Sequence, residues 1–432
     1  MRKLFVSICL LSAGLFSSDQ IPAPDQKTPI LLTNGTVHPV SQPSFEGSIL
    51  FENGKITKMG PEILTSPETE VWDISGMHVY PGLIAAGTTI GLVEISAVRA
   101  TADNAETGWL NPNVRAERAY NPDSESIPVT RSNGVLLAHV TPQGGRVSGT
   151  SAVMQLDGWT WEDCILRTPI GIHVNWPSMK IEKSRHPKPD QEKENQRDVQ
   201  MKQLDDMMED ARAYLSTLEN NTLKGTDQRW EAMIPILRKE IPFFIHANRI
   251  LQIQAAVEWC NRQDVNMILV GGGDSWRTTD LLKDNHIPVI FEHPLSTPMR
   301  RDESTDAKYG VPSMLFENGI KFCVSASAGT FEASHQRNVP YEAAMAAAYG
   351  LPRDEALKSV TLYAAEILGI DDQVGSLDVG KDATLIITDG DPLEITTHVE
   401  IAFIQGRLID LNDRHKTLYE KYQQKYLQKQ SD

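Results

Sequence analysis

Cysteine is scarce in this sequence, with four residues among 432. The three that follow the N-terminal segment are Cys164, Cys260 and Cys323, an odd and widely spaced set. Such a set does not suggest a disulfide framework. Because the surrounding sequence is apolar or helical in pattern, we expect buried free thiols rather than a catalytic cysteine.

Positive charge is also in short supply. The chain carries 41 basic residues against 57 acidic ones, which gives a net charge of −16. This balance argues against a nucleic-acid-binding role and against adhesion to anionic membranes, since both depend on basic surfaces. A solvated acidic surface is the expected consequence.

Apolar runs long enough to span a bilayer are absent from the sequence. The N-terminus nevertheless has a distinctive pattern, in which Arg2 and Lys3 precede an apolar run over residues 4–16. This pattern is typical of an export signal, which we place at residues 1–18 with the cleavage position left open. The sequence therefore predicts a periplasmic or secreted protein.

Both ends of the remaining chain have a β-rich pattern. Residues 28–80 contain short alternating segments separated by tight-turn signals such as Asn53-Gly54. The same pattern returns over residues 371–410. We therefore predict one discontinuous β-sandwich built from both ends, followed at 411–432 by a polar helix.

The middle of the chain, residues 81–370, alternates apolar strand patterns with helical ones. Alternation of this kind favours parallel βαβ units closed into a (β/α)8 barrel of the TIM type. A charged segment at 179–230 reads as a helical insertion between two strands. The candidate strands are 83–90, 135–140, 170–175, 242–246, 266–270, 289–293 and 320–325, with 152–156 as a further short strand.

Two motifs give this layout a family resemblance. Residues 81–89 run Pro-Gly-Leu-Ile-Ala-Ala-Gly-Thr-Thr, and residues 375–383 run Gly-Ser-Leu-Asp-Val-Gly-Lys-Asp-Ala. The chain resembles the amidohydrolase superfamily, in particular its imidazolonepropionase-like branch, where the first run reads Pro-Gly-Leu-Ile-Asp-Ala-His-Thr-His. The resemblance covers about residues 30–410 and implies a metal-dependent hydrolase with its active site at the C-terminal ends of the barrel strands.

The metal ligands that the resemblance implies are mostly replaced. The two first-strand histidines fall on Gly87 and Thr89, and the eighth-strand aspartate falls on Ser327. The fourth-strand lysine has no counterpart, and a glycine stands at the sixth-strand histidine. Only His246, on the fifth strand, matches. Since a catalytic zinc usually needs three protein ligands, a divalent metal such as zinc is not supported by the usual set.

A relocated site is an alternative. His139, His173, His246 and His293 each fall at or near the end of a predicted strand, and four converging imidazoles would suit a metal or acid–base cluster. The opposing interpretation is that eleven histidines place some at strand ends by chance. Arg337 and Asn248 are further candidates for ligand binding, although a structural role at a helix entry is equally compatible with Arg337.

Two functions follow from these patterns. The first is a hydrolase acting on a non-peptide carbon–nitrogen bond of a small molecule, with an altered or lost metal site. The second is a non-catalytic homologue that binds a small ligand or a partner at the barrel mouth. The substrate and the oligomeric state stay open, with a homodimer as the arrangement that the resemblance implies.

Overall fold

The computed structural model describes residues 20–179 and 190–430. The export signal predicted at residues 1–18 lies outside the described residues, as do residues 180–189 of the charged insertion. The described chain is an α/β protein with three mixed sheets.

The strands are β1 (Ile30–Val37), β2 (Phe45–Glu52), β3 (Lys55–Gly60), β4 (Glu70–Asp73), β5 (His78–Pro81), β6 (Leu83–Thr88), β7 (Val135–Val140), β8 (Val147–Thr150), β9 (Ala152–Gln155), β10 (Ile165–Arg167), β11 (Ile172–Asn175), β12 (Phe243–Ala247), β13 (Met267–Gly271), β14 (Val289–Glu292), β15 (Phe322–Ser325), β16 (Leu385–Thr388), β17 (Val399–Ile404) and β18 (Arg407–Leu408). The α-helices are α1 (Ser126–Arg131), α2 (Trp161–Cys164), α3 (Asp190–Glu219), α4 (Gln228–Leu237), α5 (Ile250–Gln263), α6 (Thr279–Asp284), α7 (Val311–Glu317), α8 (Val339–Ala348), α9 (Arg353–Ser359), α10 (Leu362–Leu368) and α11 (Arg414–Gln430).

The first sheet joins the two ends of the chain. Its order is β18-β17-β16-β5-β1-β2-β3, with β4 also paired to β1. The junction is the antiparallel pairing of β16 with β5, in which Leu385 lies opposite Pro81. The sheet is mixed rather than wholly antiparallel, because β1 runs parallel to both β4 and β5. Its own core includes the fully buried side chains of Leu32, Phe51 and Phe403.

The middle of the chain supplies the other two sheets. One has the order β10-β9-β7-β6, and the other has the order β15-β14-β13-β12-β11-β8. From β11 to β15 all neighbours are parallel, as the alternation of strand and helix patterns predicts. The two sheets meet at Ser151, whose amide donates to the Gly171 carbonyl at 3.1 Å and whose carbonyl accepts from the Ile170 amide at 2.9 Å.

One strand runs against the others. The segments β8 and β9 form a nearly continuous stretch that pairs antiparallel with β11 on one side and with β7 on the other. An all-parallel set of barrel strands was expected, and at this strand the expectation is wrong. The reason is length: β8 begins seven residues after β7 ends, whereas a parallel crossover needs about a dozen residues.

Apolar residues on one face of these strands form a separate core layer. Ile84, Leu137, Phe244, Ile290 and Cys323 are among its members, and all are buried. They alternate along each strand with residues that pack into the larger core under the helices. Buried side chains of α10 and of the residues after it belong to the same layer. The strands therefore have one face toward the helices and one face toward a shared apolar interior.

The charged insertion at 179–230 contains α3 and the first residues of α4, and the two helices pack against each other. It is not wholly solvent-exposed, since Leu204, Met207, Met208 and Ala211 of α3 are buried. The C-terminal helix α11 lies where a polar helix was predicted. In the described part of the chain, no helix has both the length and the apolar character needed to cross a bilayer. Cys164, Cys260 and Cys323 are buried free thiols, which confirms the prediction.

Candidate functional site

A polar layer lies above the apolar interior, toward the C-terminal ends of the strands. His139 follows Leu137 by two residues and His246 follows Phe244 by two, so each histidine continues the interior face of its strand. His173 on β11 lies beside Phe244, with the two rings stacked at a centroid distance of 4.8 Å. The strands β7, β11 and β12, with the β8–β9 stretch between β7 and β11, thus bring three of the four predicted histidines into one row.

The imidazoles of this row contact one another and a serine. His139 Nε2 and Ser151 Oγ lie 2.8 Å apart, and His173 Nδ1 and His246 Nε2 lie 2.9 Å apart. The rings of His139 and His173 are 5.5 Å apart at their centroids. The other nitrogens of these two residues, His139 Nδ1 and His173 Nε2, are buried and have no hydrogen-bond partner in the described structure.

Burial keeps this row uncharged. Loss of hydration lowers the pKa of His139 to about 3 and that of His246 to about 4. The pKa of His173 is lowered well below its usual value, first by burial and then by its two imidazole neighbours. All three are therefore neutral at pH 7. His246 is the partly exposed member and so faces the approach from solvent.

His293 does not join the row. Its Nδ1 lies 2.8 Å from Oε1 of Glu342, and this hydrogen bond is the main reason that the pKa of His293 is raised. The second carboxylate oxygen of Glu342 accepts from the Leu295 amide at 2.7 Å. The physical reason for the separation is alternation: Glu292 follows Ile290 on the interior face, so the next residue cannot face the same way.

A second group of charges lies at the end of β14. Burial raises the pKa of Glu292, which accepts from the Ala328 amide at 3.3 Å. Lys308 is half-buried nearby, and burial lowers its pKa despite the acidic groups around it, which include Glu292. Its Nζ donates to Ser296 Oγ at 2.8 Å. No sequence pattern points to Lys308, because it lies in a loop outside every strand and motif.

The backbone is strained at two points beside this group. His293 has a φ of 58° and Ser327 has a φ of 73°, both in the left-handed region that non-glycine residues rarely adopt. The Ser327 turn is held by its amide, which donates to Ser325 Oγ at 3.2 Å, and by its carbonyl, which accepts from Gln336 Nε2 at 3.0 Å. Strain of this kind is often concentrated at functional sites.

Arg337 and Asn248 lie apart from the polar layer. The Arg337 carbonyl accepts from Asn133 Nδ2 at 2.6 Å, and Asn133 precedes β7, so this contact lies toward the opposite ends of the strands. Asn248 is exposed beyond β12, and its Oδ1 accepts from the Gly273 amide at 3.1 Å. A side chain at Gly271, where φ is 91°, would meet Asn248 Oδ1 at 2.6 Å. These contacts give Asn248 a structural role in the turn after β13.

Within the described residues, no set of three metal-binding side chains converges at this end of the strands. Across residues 20–179 and 190–430, the only three histidine, cysteine or acidic side chains with donor atoms within 4.8 Å of one another are Asp389, His398 and Glu400. That group is exposed, next to β17, and far in sequence from every predicted site residue. Gly87 and Thr89 offer no imidazole, and the carbonyl of Gly87 accepts from Ser325 Oγ at 3.2 Å.

Comparisons with known proteins give a consistent picture. The amidohydrolase family model matches residues 304–410. An amidohydrolase, tasK, of Hapsidospora irregularis is 23% identical over 83% of this chain and 39% of its own length. An imidazolonepropionase of Shewanella frigidimarina is 43% identical over 58 residues, 13% of each protein. The matched regions thus span well under half the length of these two relatives.

Among solved structures, an amidohydrolase from Thermotoga maritima superposes with a TM-score of 0.77 at 26% identity. The superposition covers 88% of this chain and 99% of that one. This likeness implies a TIM barrel with a small additional domain, in which the strands that form the polar layer would belong to the barrel.

Proposed function

Because the chain belongs to the amidohydrolase superfamily, we propose that it hydrolyses a non-peptide carbon–nitrogen bond of a small molecule at the C-terminal ends of its barrel strands. One observation carries the proposal. His246 and Glu292 continue the same interior face, and burial shifts the pKa of both. Titratable groups with shifted pKa values often cluster at active sites.

We further propose that the two middle sheets close into one eight-stranded barrel over residues 81–370. The backbone bonds at Ser151 support closure on one side, and the contact from Ser325 on β15 to Gly87 on β6 supports it on the other. Residues 28–80 and 371–410 would then form the companion domain through the first sheet. A crystal structure with β6 and β15 farther apart than neighbouring strands, about 4.8 Å, would exclude closure.

The family's metal does not fit the residues present. A catalytic zinc usually has three protein ligands, and of the ligands that the family uses, His246 alone has a counterpart here. Its Nε2 is already 2.9 Å from His173 Nδ1. The donor set therefore supports neither the usual centre nor the relocated four-histidine cluster, and the proposed chemistry rests on the protein's own acid and base.

His246 and Glu292 suit that chemistry by position. The strands β12 and β14 are separated by β13 alone, so their backbones lie roughly 9–10 Å apart, which leaves room for a small substrate. Neutral His246 would take a proton from water as its oxygen adds to the substrate's electrophilic carbon. Glu292, whose pKa burial raises, would give a proton to the leaving nitrogen as the C–N bond breaks.

The proposal predicts large losses of activity in two variants. His246→Gln and Glu292→Gln should each reduce kcat/KM for a cyclic amide, imide or amidine substrate by about 100-fold or more, the usual contribution of a general acid or base. The substrate would come from a panel of such compounds screened with the parent protein. Circular dichroism would confirm that each variant is folded.

His398→Gln is the matched control, since that imidazole is 73% exposed and lies outside the polar layer. Its activity should equal that of the parent. Activity that survives both His246→Gln and Glu292→Gln would refute the assigned roles. Activity that a chelator abolishes, together with a stoichiometric metal that His246→Ala releases, would show a metal-dependent mechanism instead.

A second candidate function is a non-catalytic protein that binds a small molecule at the same mouth. The specific observation in its favour is the lack of convergent metal donors at the strand ends within the described residues. Ligand binding by calorimetry, without turnover of any compound in the panel and without metal, would support this function over hydrolysis.

We also propose that the protein is exported to the periplasm or secreted, since residues 1–18 have the composition of an export signal. Expression of the full chain in a bacterium should yield a mature protein in the periplasm or medium that is shorter by about 18 residues. Mass spectrometry of the purified protein measures the cleavage. An uncleaved chain that stays in the cytoplasm would contradict the proposal.

A further inference from the structure

The C-terminal helix α11 has an exposed aromatic face. Leu418, Tyr422 and Tyr426 repeat at four-residue intervals and so share one side of the helix. Tyr419 is 67% exposed, Tyr426 is 61% exposed and Tyr422 is 51% exposed. From Arg414 to residue 429 every side chain is exposed. A helix of this length is marginal in water without tertiary packing, so this face suits a docking surface.

The charge of α11 differs from that of the rest of the chain. The helix has five basic residues and a single glutamate, whereas the whole chain has a net charge of −16. Pairing α11 with the same helix of a second copy would bring like charges together. An acidic surface is the complementary partner.

The chain itself has an acidic groove of that kind. Between α3, α4 and the segment at Trp109 lies a groove of about 600 Å³, lined in part by Trp109, Met207, Tyr214 and Trp230. Asp206 and Asp210 stand on its α3 side and Arg229 also lines it. Asp206 is hydrogen-bonded to Lys202 at 2.6 Å and Arg229 is paired with Asp227 at 2.8 Å, whereas α3 as a whole has nine acidic against four basic residues. We define the acidic groove by Trp109, Asp206, Met207, Asp210, Tyr214 and Trp230. The aromatic side chains that line the groove could pack against the tyrosines of α11, and its carboxylates could form ion pairs with the lysines of α11.

We propose that α11 of one copy docks into the acidic groove of a second copy. Reciprocal exchange of the two helices would give a closed dimer with twofold symmetry. The base of α11 lies against its own body, since Asp413 is buried there and the helix contacts α1. Asp413 Oδ1 also caps the helix by accepting from the His415 amide at 2.7 Å and the Lys416 amide at 3.0 Å. From this base the helix extends about 25 Å, enough to reach a neighbour. The inference does not depend on the chemistry at the strand ends.

Sedimentation and light scattering of the purified full-length chain test the dimer. The double variant Tyr422→Glu with Tyr426→Glu should weaken association by about tenfold or more, because it places charge where aromatic anchors would be buried. On the other surface, Ala213→Arg should weaken it comparably, since Ala213 also lines the groove. Lys58→Glu, an exposed residue of β3, is the control and should leave association unchanged.

A charge exchange tests whether the two surfaces meet. Asp210→Lys and Lys425→Glu should each weaken association several-fold, and the two changes combined in one chain should restore it. The double variant would stay weakly associated if Asp210 and Lys425 did not contact each other across the interface. Circular dichroism should show that the exposed substitutions leave the fold intact.

Cross-linking separates docking between copies from docking within one chain. Chains with Ala213→Cys, mixed with chains of different mass that have Gln423→Cys, should form a cross-linked heterodimer. The thiols of Cys164, Cys260 and Cys323 would not compete because all three are buried. A single chain with both substitutions that links only to itself would overturn the proposal. A protein that is monomeric at every concentration tested would also overturn it. The same holds if α11 binds anionic lipid vesicles and the variants leave the association of the chains unchanged.

Discussion

Acidification from pH 7.5 to pH 4.5 is expected to destabilise the folded chain by about 3 kcal/mol for each of His139 and His246. Burial lowers the pKa of His139 to about 3 and that of His246 to about 4. In the unfolded chain each imidazole gains a proton below about pH 6.5, whereas the folded chain keeps both neutral. The unfolded state therefore binds more protons, and stability falls as the pH falls.

The size of the effect follows from the pH interval. In the unfolded chain, an imidazole with an ordinary pKa becomes protonated below about pH 6.5. Each pH unit below that value stabilises the protonated unfolded state by about 1.36 kcal/mol, so the roughly two units down to pH 4.5 give about 3 kcal/mol. His293 acts in the opposite direction, because its bond to Glu342 raises its pKa in the folded state. The stability that His293 contributes is fully present below its pKa in the unfolded chain, and it is lost as the pH rises through its pKa in the folded chain. The opposite effect of this one histidine on stability is smaller than the combined effect of the buried histidines.

Urea unfolding followed by tryptophan fluorescence at the two pH values would measure this dependence. His139→Leu should reduce the difference between the two free energies of unfolding by about 3 kcal/mol, since one buried imidazole is removed. His415→Asn is the matched control, because His415 is exposed and hydrated in both states. A His139→Leu variant that is as acid-sensitive as the parent would show that His139 is not held neutral.

Strand positions were predictable from the sequence, whereas strand direction was not. The predicted strand at 135–140 forms β7, and the one predicted at 320–325 forms β15 over residues 322–325. The antiparallel course of β8 and β9 depends on the short connection after β7. That signal was missed, because after 135–140 the next strand was predicted only at 152–156 and not at β8. The six residues that separate β7 from β8 permit a hairpin and not a crossover.

The candidate site was predictable only in part. The alternation of side chains between the two faces of a strand explains which histidines were predicted correctly. His139 and His246 each lie two residues after an interior apolar residue, so alternation directs them inward. His293 follows inward-facing Glu292 by one residue, and it pairs instead with Glu342. Position near a strand end is therefore a weaker predictor than position within the two-residue repeat. Lys308 could not be found in this way, because its placement depends on the course of a loop.

Replacement of Phe244 by alanine is expected to destabilise the protein by about 3–5 kcal/mol at pH 7.5. Phe244 is fully buried in the interior layer. Its ring stacks on His173 with an interplanar angle of 7° and lies 5.0 Å from His139 at the centroids. The alanine would leave a cavity beside two imidazoles. The variant would therefore lose the packing of the ring, and the two histidines would become less buried.

The same variant should lose part of the acid sensitivity. Water that enters the cavity would hydrate His139 and His173 and move the pKa of each back toward its ordinary value. The destabilisation by Phe244→Ala should therefore be smaller at pH 4.5 than at pH 7.5, as measured by urea unfolding. Phe331→Ala, a change at a ring that is 67% exposed, should cost less than about 0.5 kcal/mol at either pH. An equal loss for Phe244→Ala at both pH values would mean that the cavity stays dry and that Phe244 contributes packing alone.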